Sequence, residues 1–333
     1  MLVAAQTLRD VTCAALAKAG APPENAQIQA DLLIDAEMRG LPSHGLLRLP
    51  RIIDRMHAGL TDPHVSGDAQ WARPCFLRVD GQRGMGPVVA MAALGAIGER
   101  ARDTGIAIAA ITNTNHLGAL AYYVENAAAQ GVTCIATTIS EALVHPHGGR
   151  QALVGTNPIA IGVPADPAPM VLDMATSLVS MGKIHDHADR GLPIPSGWAL
   201  DCNGNPTTDA VAAKSGAIAP FGGAKGYALG VALEVLVASL TGSAIGTHVT
   251  GTLDSTTVSN KGDILIAIAP DETGGRGIAT AYLDLLRDAA PGRPGVPVLT
   301  PGDRARQARA HALAHGIDID PALWATITAL ARP

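Results

Sequence analysis

The chain has 333 residues, a net charge of -5, 47% hydrophobic and 16% charged residues, and only 3% aromatics. This composition excludes a disordered chain and leaves room for one large domain or two ordinary ones. With no basic field and few stacking rings it argues against nucleic-acid binding, although a local cluster of Arg or Lys can still grip a small anion.

The first sixty residues read as helical, with Gly20-Ala21-Pro22-Pro23 breaking them into two helices. A third helix is expected over Leu46 to Met56, because Leu49, Ile52, Ile53 and Met56 fall on one face, with a kink or restart at Pro50. Leu77 to Pro87 then reads as strand, glycine loop and helix. It fails the G-x-G-x-x-G test: after Gly84 and Gly86 the third glycine position is Val89, and Glu99 sits on the helix rather than at the end of a second strand. A nucleotide therefore has to bind elsewhere.

Short β-branched runs mark strands at Ile106 to Ile111, Val132 to Thr138, Ile159 to Val163 and Asp263 to Ala269. Helices are expected between them at Val88 to Asp103, Ala119 to Gln130 and Gly226 to Leu240. The apolar stretch Tyr227 to Leu240 carries Glu234, and so reads as a buried helix rather than a membrane span. The C-terminal part is helical again, with stripes Ile278, Tyr282, Leu285, Leu286 and Leu323, Ile327, Leu330 separated by a turn-rich loop at Pro291 to Gly295. This pattern predicts a helical domain built from both ends, residues 1–72 and 275–333, with an α/β domain, 73–274, inserted between them.

The four cysteines, Cys13, Cys75, Cys134 and Cys202, are widely spaced, and MLVAAQTLRD lacks a signal-peptide pattern, so a cytoplasmic protein with reduced thiols is expected. The segment Arg39 to Arg48 is the richest in chemistry. If Ser43 caps a helix, His44 and Arg48 share one face as i and i+4. An imidazole can then exchange a proton with a ketone while a guanidinium grips a carboxylate. The same spacing suits a solvated cap. His116, in Thr112 to Gly118 at a strand end, fits an acid/base or a capping turn equally. The pairs His145/His147 and His185/His187 could bind zinc if they lay on strands, but no third ligand is specified, so no metal is expected.

Seven blocks in order, RGLPSHGLLRL, TNTNHLGA, GTNPIAIGVP, VLDMATSLVSMGK, IPSGWALDCNGNPTTD, PFGGAKGYAL and LTPGD, run from about residue 39 to 303. With them the chain resembles the malate/lactate dehydrogenase-like oxidoreductases, a family distinct from the Rossmann lactate and malate dehydrogenases. The resemblance implies an α/β fold whose non-Rossmann nucleotide domain has a largely antiparallel sheet and is inserted into the helical domain. It also implies a homodimer with the active site between domains. The implied reaction is hydride transfer between NAD or NADP and C2 of a small anionic 2-oxo or 2-hydroxy acid. The family's catalytic histidines match His44 and His116. Substrate contacts match Arg48 and Lys183. Cofactor contacts match Ser43, Ser140, Asp173, Met174, Ala175, Thr176, Lys225, Gly302 and Asp303.

Lys183 stands where cyclic imino acid reductases of the family tend to carry Asp, which favours the hydroxyacid branch; imino acid reduction is the alternative. His185 and His187 stand where the family pattern leads one to expect small or apolar residues. A zinc-dependent hydrolase and a non-catalytic binding module are the readings from other classes.

Overall fold

The structure, a computed structural model, describes residues 1–269 and 275–332. It begins with strand β1 (Leu2–Val3) and helices α1 (Ala5–Lys18) and α2 (Pro23–Met38). Pro23 occupies the first turn of α2, where its missing N–H has no intrahelical partner to lose. The third helix, α3 (Leu49–His57), starts three residues later than the apolar spacing suggests. Two 3₁₀ turns, Pro42–His44 and Leu46–Arg48, precede it, and Pro50 lies in its first turn, where proline is tolerated.

A hairpin, β2 (Asp68–Arg73) and β3 (Phe76–Asp80), leads into α4 (Gly86–Thr104), β4 (Ile106–Thr112), α5 (Ala121–Ala129), β5 (Thr133–Thr138), β6 (Ile159–Val163) and β7 (Met170–Met174). An excursion follows, comprising α6 (Met181–Asp189), β8 (Ala199–Leu200), β9 (Pro206–Thr207), α7 (Ala210–Ala213) and β10 (Ala217–Ile218). The chain continues through α8 (Ala224–Thr241) and β11 (Asp263–Ile268), and ends with α9 (Gly275–Arg287), α10 (Asp303–His315), β12 (Ile317–Asp318) and α11 (Pro321–Ala331).

The central sheet has the order β2-β3-β4-β11-β5-β6-β7. Only β3 and β4 run parallel, so the sheet is largely antiparallel, as expected. Alternate residues serve opposite faces. Ala107, Ala109 and Ile111 of β4 join the main core under α4 and α5, while Ile108 and Ala110 face Val237 of α8. At Gly162 of β6 a Cβ would collide with the Val124 carbonyl, so glycine lets α5 lie directly on the sheet.

Leu8 and Leu33 near the start, Leu77 and Leu265 in the sheet, and Ala312 and Ile327 near the end belong to one apolar cluster. The chain ends also meet through β1, which pairs with β12. The boundary expected between 274 and 275 abuts residues 270–274, which lie outside the described residues.

Two expectations about buried faces need correcting. α8 is long and apolar enough to cross a membrane, but here one face lies on the sheet. Leu229, Val235 and Leu236 are exposed, so it is not buried all round. On α9 the predicted stripe points outward: Ile278, Tyr282 and Leu285 are all exposed, and Leu283 is the residue that packs inward. The stripe Leu323, Ile327, Leu330 does pack on the core.

Four charges form a largely buried network between three helices. Arg39 of α2 pairs with Asp35 at 2.5 Å and with Glu125 of α5, and Arg309 of α10 pairs with the same two carboxylates. Burial alone would raise the Glu125 carboxyl, but Arg39 and Arg309 outweigh it and hold the group below its ordinary value. Replacing Arg39 with Met leaves two carboxylates against one cation. Urea unfolding of Arg39→Met is expected to show a loss of about 3–5 kcal/mol; a loss under about 1 kcal/mol would show that the network is not a strut.

Candidate active site

β4 ends at Thr112, but no helix begins until Ala121, and the loop between them is buried. Its backbone and side chains must therefore find partners inside the protein. The Asn115 amide donates to the carbonyls of Leu60, Arg83 and Gly84. Gly86, the first residue of α4, packs against the His116 backbone so closely that a Cβ would overlap the His116 carbonyl. The glycines of the Leu77 to Pro87 segment thus seat the His116 loop. Within that loop the Gly118 N–H donates to His116 Nδ1 at 3.0 Å. Nδ1 is thereby committed as an acceptor, which leaves the ring proton on Nε2.

His44 arrives from the other side, at the end of α2. No helix starts at Ser43, so neither its capping role nor a helical i, i+4 face explains the His44–Arg48 pair. The 3₁₀ turn ends at Gly45, and the Glu37 carboxylate holds the next N–H, of Leu46, at 2.7 Å. Ser43 Oγ lies 3.1 Å from His44 Nδ1, and Arg48 Nε donates to the Ser43 carbonyl at 2.7 Å. The two histidine rings face each other with centroids 5.8 Å apart.

Both rings, with Arg48, line one cavity. Arg51, Arg55, Asn115 and Thr252 line it too, and among the described residues no carboxylate does. Burial, then the Arg48 charge, push His44 down to about 4. His116 is driven well below its ordinary range by burial, then by Arg48 and His44. Arg48 itself is lowered to about 10 by burial and by Arg51. Burial, reinforced by a cationic pocket, thus keeps two imidazoles neutral. The helix-dipole argument for His44 falls away, because α3 begins only at Leu49.

Most of the remaining expected residues gather along β7. Ser140 Oγ accepts from Thr156 N, and Thr176 N and Oγ1 both donate to the Thr156 carbonyl. Phe221 N donates to the Thr176 carbonyl, bringing the N-terminus of α8 with Lys225 to this end of the strand. At the other end Val171 meets Pro301 and Gly302. Asp173 lies between, but its carboxylate accepts the Ala121 N–H at 2.8 Å at the start of α5, and burial raises it to about 6. The Asp303 carboxylate is held by Arg287, Arg306 and Thr300, which keep it well below the usual range despite partial burial. Met174 and Ala175 are half-buried on the same edge.

Lys183 stands apart from the cavity lining. It is exposed in the first turn of α6, with Nζ 5.8 Å from the centroid of the Trp198 ring. A Cβ at Gly182 beside it would come against Ser43. His185 and His187 lie on this helix rather than on a strand, so they point to different sides, and His187 Nδ1 is bonded to the Pro193 carbonyl. Among the described residues no group of three His, Cys, Asp or Glu could hold a metal ion.

Sequence reasoning passed over Arg51 and Arg55. Their i, i+4 spacing on α3 was readable, but attention went to the apolar face of the same helix. Thr252 gave no signal, since it comes from a loop about 200 residues away.

Residues 3–328 match the family described as Malate/L-lactate dehydrogenase. The chain belongs to this family. It is 36% identical over 313 residues to the L-sulfolactate dehydrogenase of Methanothermobacter thermautotrophicus, covering 93% of this chain and 91% of that one. A Delta(1)-pyrroline-2-carboxylate/Delta(1)-piperideine-2-carboxylate reductase of Pseudomonas syringae pv. tomato is 35% identical over 304 residues, 90% of this chain and 88% of that one. The solved structure of a dehydrogenase from Sinorhizobium meliloti superposes with a TM-score of 0.96 at 53% identity, covering 100% of this chain and 98% of that one. The chain is accordingly an NAD(P)-dependent oxidoreductase of the CH–OH class.

In the ligand-free enzyme His44 is expected to stay neutral down to about pH 4. Nitrogen-15 NMR of the imidazoles reads this directly. Arg48→Gln removes one of the two depressing causes and is expected to move the His44 midpoint upward; an unmoved midpoint would mean that burial alone sets it.

Proposed function

We propose that the chain interconverts a small anionic 2-oxo acid and its 2-hydroxy acid, with His44 as the proton carrier, His116 as the carbonyl-orienting donor and Arg48 on the carboxylate. The observation that carries this reading is the pair of facing imidazoles over an arginine-lined cavity without a carboxylate.

The two rings differ in what they can do. His116 cannot take a proton on Nδ1 without losing the Gly118 N–H, so it remains a neutral ring that offers Nε2–H to the substrate oxygen. The Nδ1 of His44 meets only a hydroxyl, which can either donate or accept, so this ring tolerates both protonation states. A substrate carboxylate on Arg48 offsets the charge that helps depress His44. Binding therefore raises the affinity of His44 for a proton at the moment one is needed. In reduction His44 gives that proton to the carbonyl oxygen; in oxidation it takes the proton from the hydroxyl.

The stretch along β7 would hold NAD or NADP. From Val171 to Thr176 it spans roughly 17 Å of strand, with helix N-termini near both ends, Lys225 exposed at one of them, and a buried Ser177 hydroxyl that has no partner. When bound, the nicotinamide supplies or accepts the hydride at C2. Ser140, Met174, Ala175, Thr176, Lys225 and the Gly302-Asp303 turn would hold it, with Ser43 and Asp173 acting at least partly through His44 and α5. Lys183, exposed and apart from the lining, would meet the substrate only from outside the cavity.

We also infer a cytoplasmic homodimer in which the helical ends flank the nucleotide-binding part. Four free cysteines and the exposed apolar rows of α8 and α9 support it. Light scattering should give twice the chain mass; a monomer would overturn it.

His44→Ala is expected to lower kcat by about 10²–10⁴ while nucleotide affinity stays unchanged. His116→Ala should lower kcat less, and the reverse order would exchange the two roles. Arg48→Lys keeps the charge and loses the fork, and should raise KM for the acid on the order of tenfold or more. Lys225→Ala should weaken nucleotide binding without touching KM for the acid. A reduced-nicotinamide assay over 2-oxo acids and cyclic imino acids tests the substrate. Turnover on the imines alone would move the reading to that branch of the family.

A further inference from the structure

We propose that Arg55 determines specificity by receiving a second negatively charged group on the substrate, so that dianionic 2-oxo acids are selected over monoanionic ones. This rests on the 2-oxo acid reading above, in which the C1 carboxylate goes to Arg48.

Arg55 is 6% exposed and lines the cavity. Its Nε donates to Asn115 Oδ1 at 3.0 Å, and its Nη1 donates to the carbonyls of Asp254 at 2.7 Å and Thr257 at 3.1 Å. Its Nη2 is buried and has no partner. Leaving a buried charged donor unpaired is costly, so an unmade bond inside a substrate cavity points to a ligand atom. The guanidinium is not free to swing away and find another partner. Asn115, which fixes it, is itself fixed by three backbone carbonyls.

The charge balance of the cavity points the same way. Arg48, Arg51 and Arg55 contribute three positive charges, and among the described residues none in the lining contributes a negative one. Outside the lining, Asp254 and Glu141 partly offset the Arg55 charge; a single carboxylate would still leave the lining net positive, whereas a dianion brings it closer to neutral.

Arg55 also holds part of the cavity wall. The carbonyls it binds belong to the loop that brings Gly251 and Thr252 into the lining. Glu141 grips that loop too: its carboxylate accepts from Thr252 N at 2.8 Å, Thr252 Oγ1 at 3.1 Å and Leu253 N at 3.0 Å. A purely structural Arg55 would affect all substrates alike, and that separates the two roles.

The test uses the full chain, with malonate as a dianion that has no carbonyl to reduce and acetate as the monoanion. At matched ionic strength, calorimetry is expected to show wild type binding malonate more tightly than acetate. Arg55→Lys should shrink that advantage on the order of tenfold or more. The ratio of kcat/KM for oxaloacetate to that for pyruvate should fall with it, at unchanged nucleotide affinity. An equal malonate advantage in both proteins, or none in wild type, overturns the proposal. Failure of wild type to turn over either oxo acid would overturn the reductase reading alone, since the malonate titration needs no turnover. If Arg55→Lys does not fold, nitrogen-15 NMR of the wild-type arginine side chains decides. Malonate must shift the Arg55 Nη resonances and acetate must not; an unshifted Arg55 refutes the assignment.

Discussion

The relative placement of the two histidines depends on the four-charge network of Asp35, Arg39, Glu125 and Arg309. His44 follows Arg39 by five residues, through a 3₁₀ turn with few bonds of its own. His116 precedes Glu125 by nine, through a loop that runs into α5. Cross-linking α2 to α5 therefore fixes one ring against the other, and Arg309 brings the C-terminal α10 into the same frame. An apolar cluster of equal volume could be as stable, but it would not fix the angle and distance in this way. Fully charged partners with directional bonds specify a geometry, and the cavity depends on that geometry being held.

Inside the cavity, one sign of charge does several jobs. The arginines favour an anion and add to the depression of the histidines that burial begins; on the reading proposed above, an anion on Arg48 would lift their part of it. The neutral state of His116 does not depend on the field alone, because a backbone N–H occupies the nitrogen that would otherwise be protonated. Burial and then the field set the behaviour of His44, while the loop hydrogen bond constrains His116, so two identical side chains differ in what they can do.

Much of the fold was legible in the sequence, because the signals were local. The strands at Ile106, Thr133, Ile159 and Asp263, and helices α4, α5 and α8, follow from β-branched runs and punctuation. The exposed hairpin strand β2 and the two-residue strands β8, β9 and β10 were not legible. Such short or solvent-facing pieces bury too little to impose a pattern. The outward stripe on α9 shows the limit of periodicity: it reveals that a face is apolar, but not what covers it. In the site, His44, Arg48 and His116 were found from residue type and the ordered blocks. The reason given for two of them, a capped helix at Ser43, does not hold. The turn at Gly45 interrupts the helical path, while the Arg48 bond to Ser43 still brings His44 and Arg48 to one cavity. Asn115 and Thr252 act through contacts between distant segments, which no spacing records; Arg55 is readable as i, i+4 with Arg51, but its bonds to Asn115 and to the Asp254–Thr257 loop are not.

Asp173 sits on β7, along which the nucleotide is proposed to lie, yet its carboxylate holds the first N–H of α5, just beyond the loop that carries His116. One side chain is thus shared between the wall of one compartment and the hinge of another. Its environment is poised, since burial has lifted it to about 6. Whatever lies along β7 changes the cost of that carboxylate's charge, and with it how firmly α5 is anchored. On the reading proposed above, an acid that stiffens the His116 loop would by reciprocity also stiffen the seat of the nucleotide. The two ligands would then be linked through this carboxylate as well as through the contact that hydride transfer requires.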